Sequence, residues 1–204
     1  MSFRAPFLLL ASVLFTFFAA ILDLARLSLG HDERSGRILT DITRINRQLH
    51  MAREVLSSIA SCLRFLYFWA FVAQPPLCER GTGSFLFLHS GSWLRWGLTG
   101  TVLRWITLLA SLSILVLQII WRLMMLGHGR YKFRPVYNVE SALEITASVI
   151  YIVKLFLNST LVEMVCRRET LWQYSAALFA LLINLGIGLG NLLLCELFLW
   201  KYAS

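Results

Sequence analysis

Charge is scarce in this chain of 204 residues: 15% are Asp, Glu, Lys or Arg, where an average soluble domain has about a quarter. That shortage, beside 58% hydrophobic residues and a mean hydropathy of +0.69, excludes an ordinary water-soluble domain. It also excludes intrinsic disorder, which requires low hydrophobicity. Proline is rare at 4 and glycine is ordinary at 12, so collagen-like and low-complexity repeats are excluded as well. The cysteines, Cys62, Cys78, Cys166 and Cys195, include no Cys-x-x-Cys pair, and zinc or thioredoxin-type chemistry has no footing. His31, His50, His89 and His128 are scattered without His-Glu-x-x-His spacing, so neither a metal nor another cofactor is expected. No Gly-x-Ser-x-Gly occurs, and the His31-Asp32 pair reads as a solvated turn; no catalytic residue is assigned and no enzyme is expected. What is left is a membrane protein with little polar sequence for a separate soluble domain.

What the chain does have is long apolar runs. A hydrocarbon core of about 30 Å takes roughly 20 helical residues to cross, and five runs meet or approach that length. They lie at 7–27, 55–73, 101–124, 139–161 and 172–200. The expected fold is an all-α, polytopic transmembrane helical bundle of five spans in a single membrane domain, 1–204. No ten-residue alternation of the β-barrel kind appears. Four spans are the alternative, either because the first run is cleaved as a signal or because Arg64 keeps the second out. The first run is long for a signal core, and Phe17, Phe18 or Asp23 would fall where cleavage wants a small residue, which favours an uncleaved anchor.

The excess of 19 Lys and Arg over 11 Asp and Glu, +8 overall, lies between apolar runs, the pattern of loops touching anionic headgroups and not of a nucleic-acid face. Arg26, Arg34, Arg37, Arg44, Arg47 and Arg53 fall after the first run, and Arg122, Arg130, Lys132 and Arg134 after the third. Arg4, Arg80, Arg95, Arg167 and Arg168 fall on the opposite side, with Arg104 near it. The richer side is read as cytoplasmic, with the N-terminus outside and the C-terminus inside, in a secretory-pathway or plasma membrane in preference to a mitochondrial one. Trp69, Trp93, Trp96 and Trp172 then fall at outer ends; Trp121, Tyr131, Tyr137, Trp200 and Tyr202 fall at inner ends, as interfacial anchors.

Ahead of the second span, Ile38, Ile42, Ile45, Leu49, Ala52, Leu56, Ile59 and Leu63 alternate spacings of four and three. This seam predicts an amphipathic helix over 35–54 that runs on into the second span and stops at Gln74-Pro75-Pro76. It covers the bundle's own cytoplasmic end or meets a partner. Phe85-Leu-Phe-Leu88, in the loop that follows, is expected to dip into the interface.

Several polar residues are out of place in hydrocarbon. Arg64 sits mid-span and needs a partner, because a cation there is expensive. It lies about nine residues above the inner end of its helix and Glu144 about seven above the inner end of the fourth, so an Arg64–Glu144 contact is expected, with Glu140 as substitute. Glu140, Glu144, Ser148, Tyr151 and Asn158 share one face of the fourth span, bordered by Lys154, which is close enough to the outer surface to snorkel. Such a stripe either bonds helices together or lines a pathway. In the fifth span Gly186 and Gly190 have small-x-x-x-small spacing for close packing within the bundle or between copies; Asn184, Gly188 and Asn191 line the adjacent face. Cys78 and Cys166 fall outside and can form a disulfide, whereas Cys62 and Cys195 read as buried thiols. The sequon Asn158-Ser159-Thr160 lies in or against the membrane and is expected to carry no glycan.

The stretch from Phe133-Arg-Pro-Val-Tyr-Asn-Val-Glu-Ser-Ala-Leu-Glu to Asn158, with Leu182-Ile-Asn-Leu-Gly-Ile-Gly-Leu-Gly-Asn191, resembles segments of uncharacterised multi-pass fungal membrane proteins, over about the last third of the chain. The resemblance implies an α-helical membrane fold and no activity. The expected function is therefore packing with itself or with partner membrane proteins in the lipid bilayer; the alternative is a small transporter or channel subunit using the polar stripe.

Overall fold

The computed structural model describes residues 4–32, 39–73, 93, 97–127, 134–160 and 164–203. It is all-α, with no strand among the described residues. Five helices follow in order: α1 Arg4–Asp32, α2 Leu39–Val72, α3 Gly97–Gly127, α4 Arg134–Thr160 and α5 Met164–Ala203. Each matches one of the five apolar runs. α2 is continuous from the seam into the apolar run, as the heptad spacing implies; residues 35–38 and the Phe85–Leu88 patch lie outside the described residues. It ends at Val72, just short of Gln74-Pro75-Pro76, where proline withholds the N–H that another turn would need. α3 opens on Gly97 at φ 60°, a left-handed conformation open to glycine without a Cβ clash.

Among the described residues, three of these helices are long and apolar enough to cross a membrane, over Pro6–Ser28, Ile45–Val72 and Gly97–Ile120. α2 is among them despite Arg64. Among the described residues α4 is not one of them, and Glu140, Glu144 and Lys154 stand in its apolar sequence. The apolar stretch described in α5, Tyr174–Gly190, is shorter than a span.

The chain divides into two compact units, one of Met1–Tyr67 with Leu115–Val136 and the other of Phe68–Ile114 with Tyr137–Ser204. In the first, α1 and α2 form an antiparallel hairpin. Ser12 donates its hydroxyl to the Ala60 carbonyl at 2.8 Å, Arg53 meets Asp23 at 3.4 Å, and Arg26 Nε donates to Asn46 Oδ1 at 3.0 Å. As one partner moves up α1 the other moves down α2, so one register holds from Ser12 to Arg26, about 21 Å of helix. Ser12, Ala19 and Ala60 are buried in this seam, small enough to let the backbones close up. Phe7, Val13, Phe17, Leu24 and Leu27 point away from it and are exposed.

The seam of α2 differs from the sequence expectation by one position. Asn46, Arg53 and Ala60 face α1. Ile45 is 46% exposed and Ala52 is also exposed, while Leu49, Leu56, Ile59 and Leu63 are half-buried. The phase of α1 decides which of two adjacent heptad lines is covered, and the spacing on α2 alone carries no information about that phase.

In the second unit, Phe68 and Val72 of α2, Ile114 of α3, Ala147 and Leu155 of α4, and Leu181 of α5 are buried. α4 and α5 come close together at Gly188, where a Cβ would lie 3.0 Å from Ile145 Cγ1.

Candidate functional site

The buried face of α4 is the most polar buried surface in the second unit. Glu140, Ser148, Tyr151 and Asn158 are buried and Glu144 is half-buried, so the stripe read from spacing lies on the covered side of the helix. Ser141 and Ser159 join it, together with Thr107 and Ser111 from α3. Thr107 and Ser111 are four apart and face α4, a spacing the sequence reading passed over because hydroxyls alone do not disqualify a span.

Hydrogen bonds tie the stripe to its neighbours. Ser111 donates to the Thr107 carbonyl at 2.8 Å, so its oxygen accepts from the fully buried Tyr151 hydroxyl at 3.2 Å. Thr107 turns its own hydroxyl back to the Leu103 and Arg104 carbonyls, at 2.9 and 3.0 Å. One turn beyond Lys154, the Asn158 amide donates to the Val72 carbonyl at 3.5 Å, meeting a C-terminal carbonyl that α2 cannot satisfy within itself. The Asn158 side chain of the sequon is thus buried and engaged.

Lys154 and Trp93 each depart from the sequence expectation. Lys154 does not snorkel: it is 1% exposed, with Nζ 5.2 Å above the Trp93 ring. Trp93 is no interfacial anchor; it too is 1% exposed. The indole face attracts the ammonium, and a desolvated cation–π contact of this kind contributes about 2 kcal/mol. Trp69 donates its indole N–H to the Arg104 carbonyl at 3.0 Å, and the Arg104 guanidinium stacks over the same ring at 5.2 Å. Phe71 meets Tyr174 edge-on at 5.8 Å. Trp172, by contrast, is 75% exposed, as an anchor would be.

The remaining sequence candidates fall elsewhere. Arg64 belongs to the first unit, half-buried, and its Nη2 donates to Ser61 Oγ at 3.4 Å. Glu144 belongs to the second unit. The close packing expected at Gly186 and Gly190 is at Gly188 instead: a Cβ at either of the outer two would meet nothing within 4 Å. Asn184 is half-buried, and the side chain of Asn191 lies outside what is described. Cys62 is a buried free thiol. Cys78 lies outside the described residues, as does the side chain of Cys166, and the bridge between them with it.

Chemically, this arrangement binds helices to helices. Among the described residues, no three His, Cys, Asp or Glu side chains gather as metal ligands. The chain matches no protein-family model, no curated protein and no solved structure.

Proposed function

We propose that the chain is an integral, multi-pass membrane protein whose five helices all span the bilayer, with the N-terminus outside and the C-terminus cytoplasmic. In this reading it acts without catalysis, through packing with copies of itself or with partner membrane proteins. The observation that carries it is the open side of α5. Phe179, Leu182, Ile183, Ile187 and Leu193 are exposed there around Gly186 and Gly190. Large apolar side chains flanking small residues let another helix approach closely in lipid, where dispersion and close contact drive association.

Two differently tagged copies co-expressed in membranes test it. Capture of one tag in mild detergent is expected to recover the other tag, or a stoichiometric membrane partner. Gly186→Leu with Gly190→Leu is expected to abolish recovery while the protein still elutes as a single folded species. A monomer without partner, or recovery unaffected by the double variant, refutes the packing reading.

A second reading, a small transporter or channel subunit, is favoured by the buried run of Glu140, Ser148 and Lys154 on one helix. The Ser148 hydroxyl has no hydrogen-bond partner among the described residues, which leaves it able to meet a passing water or ion. Ion flux into proteoliposomes that falls to the background of empty vesicles in Glu144→Gln would establish this reading in place of the first.

A further inference from the structure

We propose, on the membrane reading above, that Arg104, seated on the Trp69 ring where α2 ends, binds the phosphate of an anionic lipid headgroup. The two residues position each other. The Trp69 indole N–H donates to the Arg104 carbonyl at 3.0 Å, and the guanidinium lies over the same ring at 5.2 Å. One link fixes the ring against α3, and the other holds the cation on the ring. Trp69 is in the last turn of α2, three residues from Val72, and Arg104 is seven residues inside the start of α3 at Gly97. α2 therefore ends about 4.5 Å beyond the level of this contact. Tryptophan favours the boundary between hydrocarbon and headgroups, and an arginine just below that boundary keeps its stem in the apolar layer and its charge at the edge.

This seat does not neutralise Arg104. Among the described residues its guanidinium forms no ion pair and donates no hydrogen bond. An indole face attracts a cation but does not accept its N–H groups as an oxygen does. The C-terminal end of α2 supplies at most a partial negative charge. Carboxylates are remote: Asn158 reaches Val72 near this level, and Glu144 stands 14 residues earlier on α4, about 21 Å along the helix, with Glu140 farther still. Those two are the acidic side chains described in this unit. A guanidinium that is half-buried, fixed in place and left with donors to spare suits the paired oxygens of a phosphate. A choline ammonium gains nothing from a neighbouring cation, which favours a headgroup of net negative charge.

Retention in carbonate-washed membranes tests the membrane reading separately. The binding experiment uses the full chain, purified and delipidated in mild detergent, with thermal unfolding and native mass spectrometry as readouts. Phosphatidylglycerol is expected to raise the unfolding temperature and remain bound, and phosphatidylcholine to do neither. Arg104→Gln is expected to weaken phosphatidylglycerol binding about fivefold, and Arg104→Lys to keep the preference over phosphatidylcholine. Arg168→Gln, exposed on α5, is expected to leave the response intact. If Arg104→Gln does not fold, the unaltered protein gives the answer: phosphatidylglycerol with a photoreactive headgroup is expected to label peptides that contain Trp69 or Arg104. An equal response to inorganic phosphate alone, an equal response to phosphatidylcholine, undiminished binding in Arg104→Gln, or labelling confined to other peptides overturns the proposal.

Discussion

Trp93→Ala is expected to cost about 3 kcal/mol or more of stability, the largest effect of any single substitution in the second unit. The indole is almost wholly covered, and truncation leaves a void that the surrounding helices fill only in part. It also strips the ring from above Lys154 Nζ, so an ammonium already removed from solvent loses a favourable contact. Lys154→Met tests the same contact from the other side. It keeps the length of the side chain and removes the buried charge, so its expected cost is small, and a gain is consistent with a charge that is expensive to bury. Equilibrium unfolding in mixed micelles of mild detergent and dodecyl sulfate measures both. Equal losses from the two substitutions, or a Trp93→Ala protein within about 0.5 kcal/mol of the parent, would show that the ring is not seated as described.

Gly188→Leu is expected to destabilise by about 1–3 kcal/mol, because the first added carbon already meets Ile145 at 3.0 Å and α4 or α5 must move to admit the rest. Ile145→Ala in the same chain makes room, so the double variant is expected to be more stable than the two single losses added together. Gly186→Leu and Gly190→Leu serve as internal controls. Each points into open space within the chain, and in dilute protein, where copies do not associate, neither is expected to lower the unfolding midpoint. The same micelle titration reads all of these; strict additivity of Gly188→Leu and Ile145→Ala would remove the contact from consideration.

The helices themselves were legible because long apolar runs have few alternatives, and because Gln74-Pro75-Pro76 stops α2 through the chemistry of proline. The buried side of α4 was legible for a related reason: Glu140, Glu144, Ser148, Tyr151 and Asn158 share one face by helical geometry alone, and polar groups in an apolar helix are driven to the covered side. What spacing could not supply was the identity of the neighbour. Trp93 and Lys154 each have the profile of an interfacial residue, amphipathic and near the end of a run, and only their mutual contact makes burial tolerable for both. Gly186 and Gly190 have the spacing of a packing motif, yet Gly188 is the one turned toward α4, since small-residue spacing is the same on either face of a glycine-rich helix. The offset of the α2 seam, from Ile45 and Ala52 to Asn46 and Arg53, has the same origin. Polar side chains on the covered line were hidden from a search for apolar ones.

The hairpin of α1 and α2 has a consequence for the order in which the protein is built. Its links join residues that are close together in the chain, 20 positions apart for Arg26 and Asn46 and 48 for Ser12 and Ala60. The Asn158–Val72 link in the second unit spans 86. A polypeptide emerging N-terminus first therefore holds every partner of the hairpin before the fourth helix has been synthesised, and short closures form sooner than long ones. Asp23 and Arg53 would each enter hydrocarbon reluctantly on a solitary helix, and together they neutralise each other. In the membrane reading proposed above, delivery of the second helix brings Arg53 to Asp23 and is thus what lets the first settle.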